Sequence, residues 1–174
     1  MAEPRFDGGW SYTQKEMNEL FKYLSYNDKK DFRVLEFGSG NSTIKLYDYL
    51  KLKVENVIFY TYENNKNFVF YHTDIKLMFY DENKIKDVVI PSQKFDLILI
   101  DGPNGDKRSL WYAKIRENVK EGTILLVDDF NHYKCFSDEL DKNFTYDLLS
   151  FSNEPFVPNG EHSWKIVKII KIND

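Results

Sequence analysis

Apolar residues recur along this chain with two periods, and the alternation between the two outlines a fold. Met17, Leu20, Phe21 and Leu24 follow a 3.6-residue repeat, and Thr13 and Glu16 have the spacing of a capping box, so the first element is predicted to be an amphipathic helix. Strand-like and helical runs then alternate. RVLEF at 33 to 37 is followed by a helix from about Ser42 to Leu52, VIFYTY at 57 to 62 by a weaker helical segment from Lys66 to His72, and then comes IKLMFY at 75 to 80. FDLILID at 95 to 101 leads to a helix from about Asp106 to Val119, in which Trp111, Ile115 and Val119 are four apart. TILLVDD at 123 to 129 precedes a helix from His132 to Lys142.

The runs VLEF, LILI and ILLV are apolar without a break, as expected of strands covered on both faces of a parallel sheet. Near the end the alternation stops: TYDLLSF at 145 to 151 and SWKIVKIIK at 163 to 171 have no helix between them, which predicts an antiparallel hairpin. The expected class is α/β: a Rossmann-like, mostly parallel sheet of about seven strands, roughly five of them parallel and followed by the hairpin, with helices on both faces.

Composition narrows this picture without naming a function. A chain of 174 residues, 42% hydrophobic and 30% charged, suits one soluble domain over 1–174, with an arm over 1–12. It has no repeat, no Pro/Gly/Ser linker and no apolar run of the roughly 18 residues that a membrane span needs. The net charge of -4 gives no general attraction to phosphate backbones, so neither nucleic acid nor a membrane is expected as partner, and the oligomeric state is left open. Cys135 is the only cysteine, and MAEPRFDGGW lacks the basic and apolar regions of a secretory signal, so the expected location is cytoplasmic.

Candidate chemistry begins where the first strand ends. Open α/β sheets bind ligands beyond the carboxyl ends of their strands, at the point where strand order reverses. In VLEFGSGNST, Gly38 and Gly40 let the backbone pass close to a ligand, with Ser39 between them, and Ser42 opens a helix whose free N–H groups face the same way. Thr43 stands where a dinucleotide fingerprint has its third glycine, which weakens an NAD reading, and the GxxxxGK[ST] phosphate loop is absent. Glu63 closes the second strand, where such folds carry a carboxylate for the two ribose hydroxyls of a nucleoside. The competing reading is a plain strand-to-helix turn with a solvated glutamate beside it.

These residues resemble motif I of the class I S-adenosylmethionine-dependent methyltransferases. The resemblance implies S-adenosyl-L-methionine as cofactor, with Glu36 orienting its amino group and Glu63 its ribose, and it covers the predicted elements from Thr13 to Lys171.

A second constellation lies at the ends of the fourth and fifth strands: Asp101 in LILIDGPNGD, and Asp128 and Asp129 in ILLVDDFNH. Neighbouring parallel strands deliver their last residues to one rim, so three carboxylates are expected to share the cleft. Their repulsion is relieved by a divalent cation, by basic neighbours such as Lys107 or Arg108, or by raised pKa values. The spacing is similar to that of the metal-dependent catechol O-methyltransferases, with Asp129 where that group has Asn, and IDGP resembles the glucuronoxylan methyltransferase-like group. The first resemblance implies Mg²⁺ or another divalent cation on Asp101, Asp128 and Asp129. The alternatives are that Asp101 meets cofactor or substrate directly, and that Asp128 and Asp129 cap the following helix.

His132 and Lys107 are candidate general bases, while His72 and His162 are read as bystanders. Cys135 is read as a small buried apolar group. Trp10, after Gly8 and Gly9, is read either as a lid over cofactor or substrate or, the favoured reading, as part of a disordered terminus or a residue packed on the first helix. Together these readings point to methyl transfer to an oxygen of a small hydroxylated or saccharide substrate. A non-catalytic Rossmann-like module, binding a nucleoside or a partner chain, and an NAD-linked enzyme are the alternatives.

Overall fold

A computed structural model describes residues 12–26, 29–68, 70, 72–132, 134–153 and 163–174. Seven strands form one sheet in the order β3-β2-β1-β4-β5-β7-β6. They are β1 (Asp31–Phe37), β2 (Asn56–Glu63), β3 (Ile75–Phe79), β4 (Leu97–Ile100), β5 (Ile124–Asp128), β6 (Phe144–Ser152) and β7 (Trp164–Ile172). β1 to β5 are parallel; β7 runs antiparallel to both β5 and β6. The predicted hairpin thus closes one side of the sheet. Strand order reverses between β1 and β4, which puts the switch point beside the glycine turn.

The unbroken apolar runs feed two cores, because alternate residues of a strand face opposite ways. Val34, Leu97, Leu99 and Leu126 pack on one face with Met17 and Leu20 of α1 (Gln14–Tyr23) and Leu46 and Leu50 of α2 (Asn41–Lys51). Leu35, Ile98, Ile100, Leu125 and Val127 pack on the other, with Trp111 of α3 (Leu110–Lys114) and Phe136 and Leu140 of α4 (Lys134–Asn143). The capping box that starts α1 is formed: Thr13 Oγ1 accepts from the Glu16 N–H at 3.1 Å, and a Glu16 carboxylate oxygen accepts from the Thr13 N–H at 3.2 Å.

Three helical expectations are corrected. The segment predicted from Asp106 to Val119 is not one helix: 3₁₀ turns at Asp106–Ser109 and Arg116–Asn118 flank the five residues of α3. Its apolar spacing still serves the core, since Trp111, Ile115 and Val119 are all fully buried. The ends are tied elsewhere: Arg108 donates to the carbonyls of Pro103 and Asp128, and the Asn118 amide to those of Pro91 and Gln93. Such bonds to fixed loops outweigh propensity in so short a segment. Between Lys66 and His72 the described residues form a single 3₁₀ turn, Lys66–Phe68. The helix expected from His132 begins at Lys134, with His132 in a preceding 3₁₀ turn, Phe130–His132.

Candidate active site

A cleft of about 470 Å³ opens at the carboxyl ends of β1, β2, β4 and β5, lined by Gly38, Ser39, Glu63, Asp101, Asp128 and Asp129 among others. That volume lies within the ~300–1,000 Å³ of small-molecule sites. His132 also lines it, with Nδ1 3.3 Å from Asp129 Oδ1.

The two glycines of the turn do different work. Gly38 has φ +97°, and a Cβ there would lie 2.7 Å from the Gly102 nitrogen, so the fold itself demands glycine. Gly40 has an extended backbone, φ 168°, and a Cβ there would meet nothing within 4 Å. Neither conformation nor packing requires glycine at 40, which leaves room for a ligand's close approach. Thr43, in place of a third glycine, is fully buried. Its Oγ1 accepts from the Gly40 N–H at 3.0 Å and donates to Glu36 Oε2 at 2.8 Å.

Glu36 and Ser42 are buried behind the turn and do not reach the cleft wall. Glu36 Oε2 also accepts from the Thr61 hydroxyl at 2.8 Å, whereas Oε1 has no partner among the described residues. Burial pushes the Glu36 carboxyl up to about 8, against the two threonine hydroxyls, which pull it down. Glu63 faces the cleft. Its Oε2 accepts from the Ser39 N–H at 2.6 Å and its Oε1 from the Asn65 N–H at 2.7 Å, which fixes the carboxylate against the turn.

At the opposite wall the three aspartates do meet. Successive strand residues normally point to opposite sides, yet Asp128 and Asp129 both line the cleft, because Asp129 takes a left-handed backbone with φ 52°. Burial and the nearby Asp128 charge hold Asp101 well above the usual carboxylate range. Burial and the Asp129 charge raise Asp128 to about 6. Asp101 and Asp128 are coupled, each charge raising the cost of ionising the other, so the pair favours holding a proton. Beneath them lie Tyr12 and Glu16, both enclosed; burial, and for Glu16 the Asp128 charge, raise their pKa values.

The counter-charge at this wall is Arg108. Its side chain is 4% exposed, and its guanidinium stands 3.8 Å from Asp101 Oδ1 and 3.6 Å from Asp129 Oδ2. Lys107 points away to Glu82 Oε1 at 3.1 Å and Asn83 Oδ1 at 2.8 Å. No group of three or more metal-ligating side chains among the described residues is arranged to hold an ion. The expectation of a divalent cation on Asp101, Asp128 and Asp129 therefore gains no support: a guanidinium stands among the carboxylates.

Cleft residues that sequence reasoning did not single out are Asn64, Asn65, Phe68, Glu82, Pro103, Asn104 and Gly105. They sit in the segments after β2, β3 and β4; Pro103 falls within the IDGP stretch, and the others carry no motif. Their only signal was position immediately after a strand end. His72 lies away from the cleft against Tyr47, ring centroids 4.7 Å apart, and Cys135 is half-buried beside the second core. Trp10 and His162 lie outside the described residues.

No protein-family model matches the chain, and no curated protein matches it. Solved structures do. Precorrin-6y C5,15-methyltransferase from Geobacter metallireducens is 12% identical at a TM-score of 0.59, over 93% of this chain and 90% of that one. The N-methyltransferase NodS from Bradyrhizobium japonicum is 9% identical at 0.60, over 91% and 96%. Human methyltransferase-like protein 13, solved in complex with SAH, is 11% identical at 0.60, over 89% and 81%. This chain has the class I S-adenosylmethionine-dependent methyltransferase fold, with its mostly parallel sheet and antiparallel last strand.

Proposed function

We propose that this chain transfers the methyl group of S-adenosylmethionine to an oxygen of a small hydroxylated or saccharide acceptor. The observation that carries this reading is the pair Asp101 and Asp128, a partly exposed and a buried carboxylate that line the cleft together beside the glycine turn, both with pKa values raised by desolvation. A hydroxyl nucleophile must lose its proton as its new bond to carbon forms, and such a pair supplies the acceptor for it.

Bound in the cleft, S-adenosylmethionine supplies a methyl carbon already activated by its positive sulfonium. What remains for the chain is placement, exclusion of water and proton removal. Glu63 offers two oxygens to a vicinal diol, and the backbone at Gly40 leaves the adjacent space open. The Asp101–Asp128 pair takes the acceptor's proton, with Asp128 the assigned base, and orients the hydroxyl. His132, held beside Asp129, lies where it can pass the proton to solvent.

Calorimetric titration with S-adenosylhomocysteine tests the cofactor half. Binding at micromolar concentration, weakened at least tenfold by Glu63→Ala, is expected; a folded protein that gives no heat at millimolar ligand, or that prefers NAD, overturns the reading. Turnover on a panel of small alcohols and sugars tests the oxygen half.

A further inference from the structure

We propose that Arg108 is the resident cation of the cleft, a positioning residue that does for the strand-end carboxylates what a divalent ion would otherwise do, so that the cleft takes up no metal. The inference deepens the proposed function and concerns the same cleft, but its test needs no turnover.

The guanidinium is enclosed and tied on several sides. Nε donates to the Pro103 carbonyl at 3.1 Å and Nη1 to the Asp128 carbonyl at 2.8 Å, so one side chain joins the loop after β4 to the end of β5. Its remaining faces meet Asp101 at 3.8 Å, Asp129 at 3.6 Å and the Phe136 ring with its centroid at 5.8 Å. The same group therefore sets both the spacing of the aspartates and their charge, and it lowers the pKa values of Asp101 and Asp128 against their burial.

A hard divalent ion needs about six oxygens at roughly 2.0–2.6 Å. Here it would have to share the aspartates with a guanidinium that cannot be deprotonated and that shifts only by breaking two enclosed hydrogen bonds. Lysine at this position would keep the charge but not the two-loop tie, because one ammonium lacks the planar fork.

The test is Mn²⁺ uptake, followed by the loss of the free-ion electron paramagnetic resonance signal, in wild type, Arg108→Ala and Arg108→Lys, with folding checked by circular dichroism. Wild type and Arg108→Lys are expected to leave the signal unchanged up to ~1 mM, while Arg108→Ala takes up about one equivalent at least tenfold more tightly. Uptake of one equivalent by wild type below ~0.1 mM, lost in Asp101→Asn, overturns the proposal. So does a folded Arg108→Ala that binds no more tightly than wild type, or an Arg108→Lys that binds as Arg108→Ala was expected to. If Arg108→Ala folds only when Mn²⁺ is present, the ion has replaced the guanidinium and the proposal stands; if it folds under neither condition, wild type and Arg108→Lys decide. Failure of S-adenosylhomocysteine to bind would sink the proposed function and leave this result intact.

Discussion

Gly38 and Gly40 look equivalent in a motif and differ in their surroundings. Gly38→Ala puts a Cβ against the Gly102 backbone in a left-handed conformation and is expected to cost roughly 2–4 kcal/mol, read from a urea midpoint. Gly40→Ala should leave that midpoint within about 0.5 kcal/mol of wild type and weaken S-adenosylhomocysteine at least tenfold; unchanged affinity would mean that no ligand approaches there. Glu36 gives a pH signature. Its folded value of about 8 lies above its ordinary 4.5, so the native state binds the extra proton and stability is lost as pH rises from 4.5 through 8. Glu36→Gln is therefore expected to be nearly neutral at pH 4 and stabilising by about 3–5 kcal/mol at pH 9, checked by paired denaturant melts. Equal effects at both pH values would show that Glu36 is not held protonated. The carboxylate ahead of the turn was legible in the motif; its enclosure by Thr43 and Thr61 depends on packing 7 and 25 residues away.

Among the elements, strand positions were legible because the unbroken runs VLEF, LILI and ILLV require cover on both faces. Helix lengths were less so: the segment after Asp106 keeps its apolar face but yields its backbone to the ties of Arg108 and Asn118. At the far end of the sheet, Asp96 ties β1 to the loops before it and before β5 by accepting from Lys29 at 2.9 Å, Lys120 at 2.8 Å and the Arg33 N–H at 2.8 Å. Burial would raise its pKa, and these donors outweigh it, so the net shift is downward. Its stabilisation is present above the ordinary aspartate pKa and is lost as pH falls through the folded value. Asp96→Ala is expected to cost about 2–3 kcal/mol at pH 7, discounted for the half-exposed lysines, with a smaller loss at pH 2. A loss independent of pH would mean that the carboxylate's charge contributes nothing.

For the whole molecule, the cleft depends on the reversal of strand order between β1 and β4, which sets Glu63 on one wall and the aspartates on the other. If Asp128 takes the acceptor's proton, kcat should rise with pH through an acid limb near 6 and stay on its plateau in excess chelator. Asp128→Asn should lower kcat at least a hundredfold with little change in cofactor affinity. An acid limb that persists in Asp128→Asn would assign the proton to another group.

Local pattern alone determined the order of elements, the antiparallel end, the glycine turn and the acidic strand ends, because apolar period and turn chemistry act over a few residues. Tertiary structure decided which of these residues share a wall. Asp101, Arg108, Asp128 and Asp129 are brought together by parallel pairing of β4 with β5 and by a side chain bonded across to both loops. The choice between a metal and a guanidinium as counter-charge depends on distances in space, which spacing along the chain does not contain.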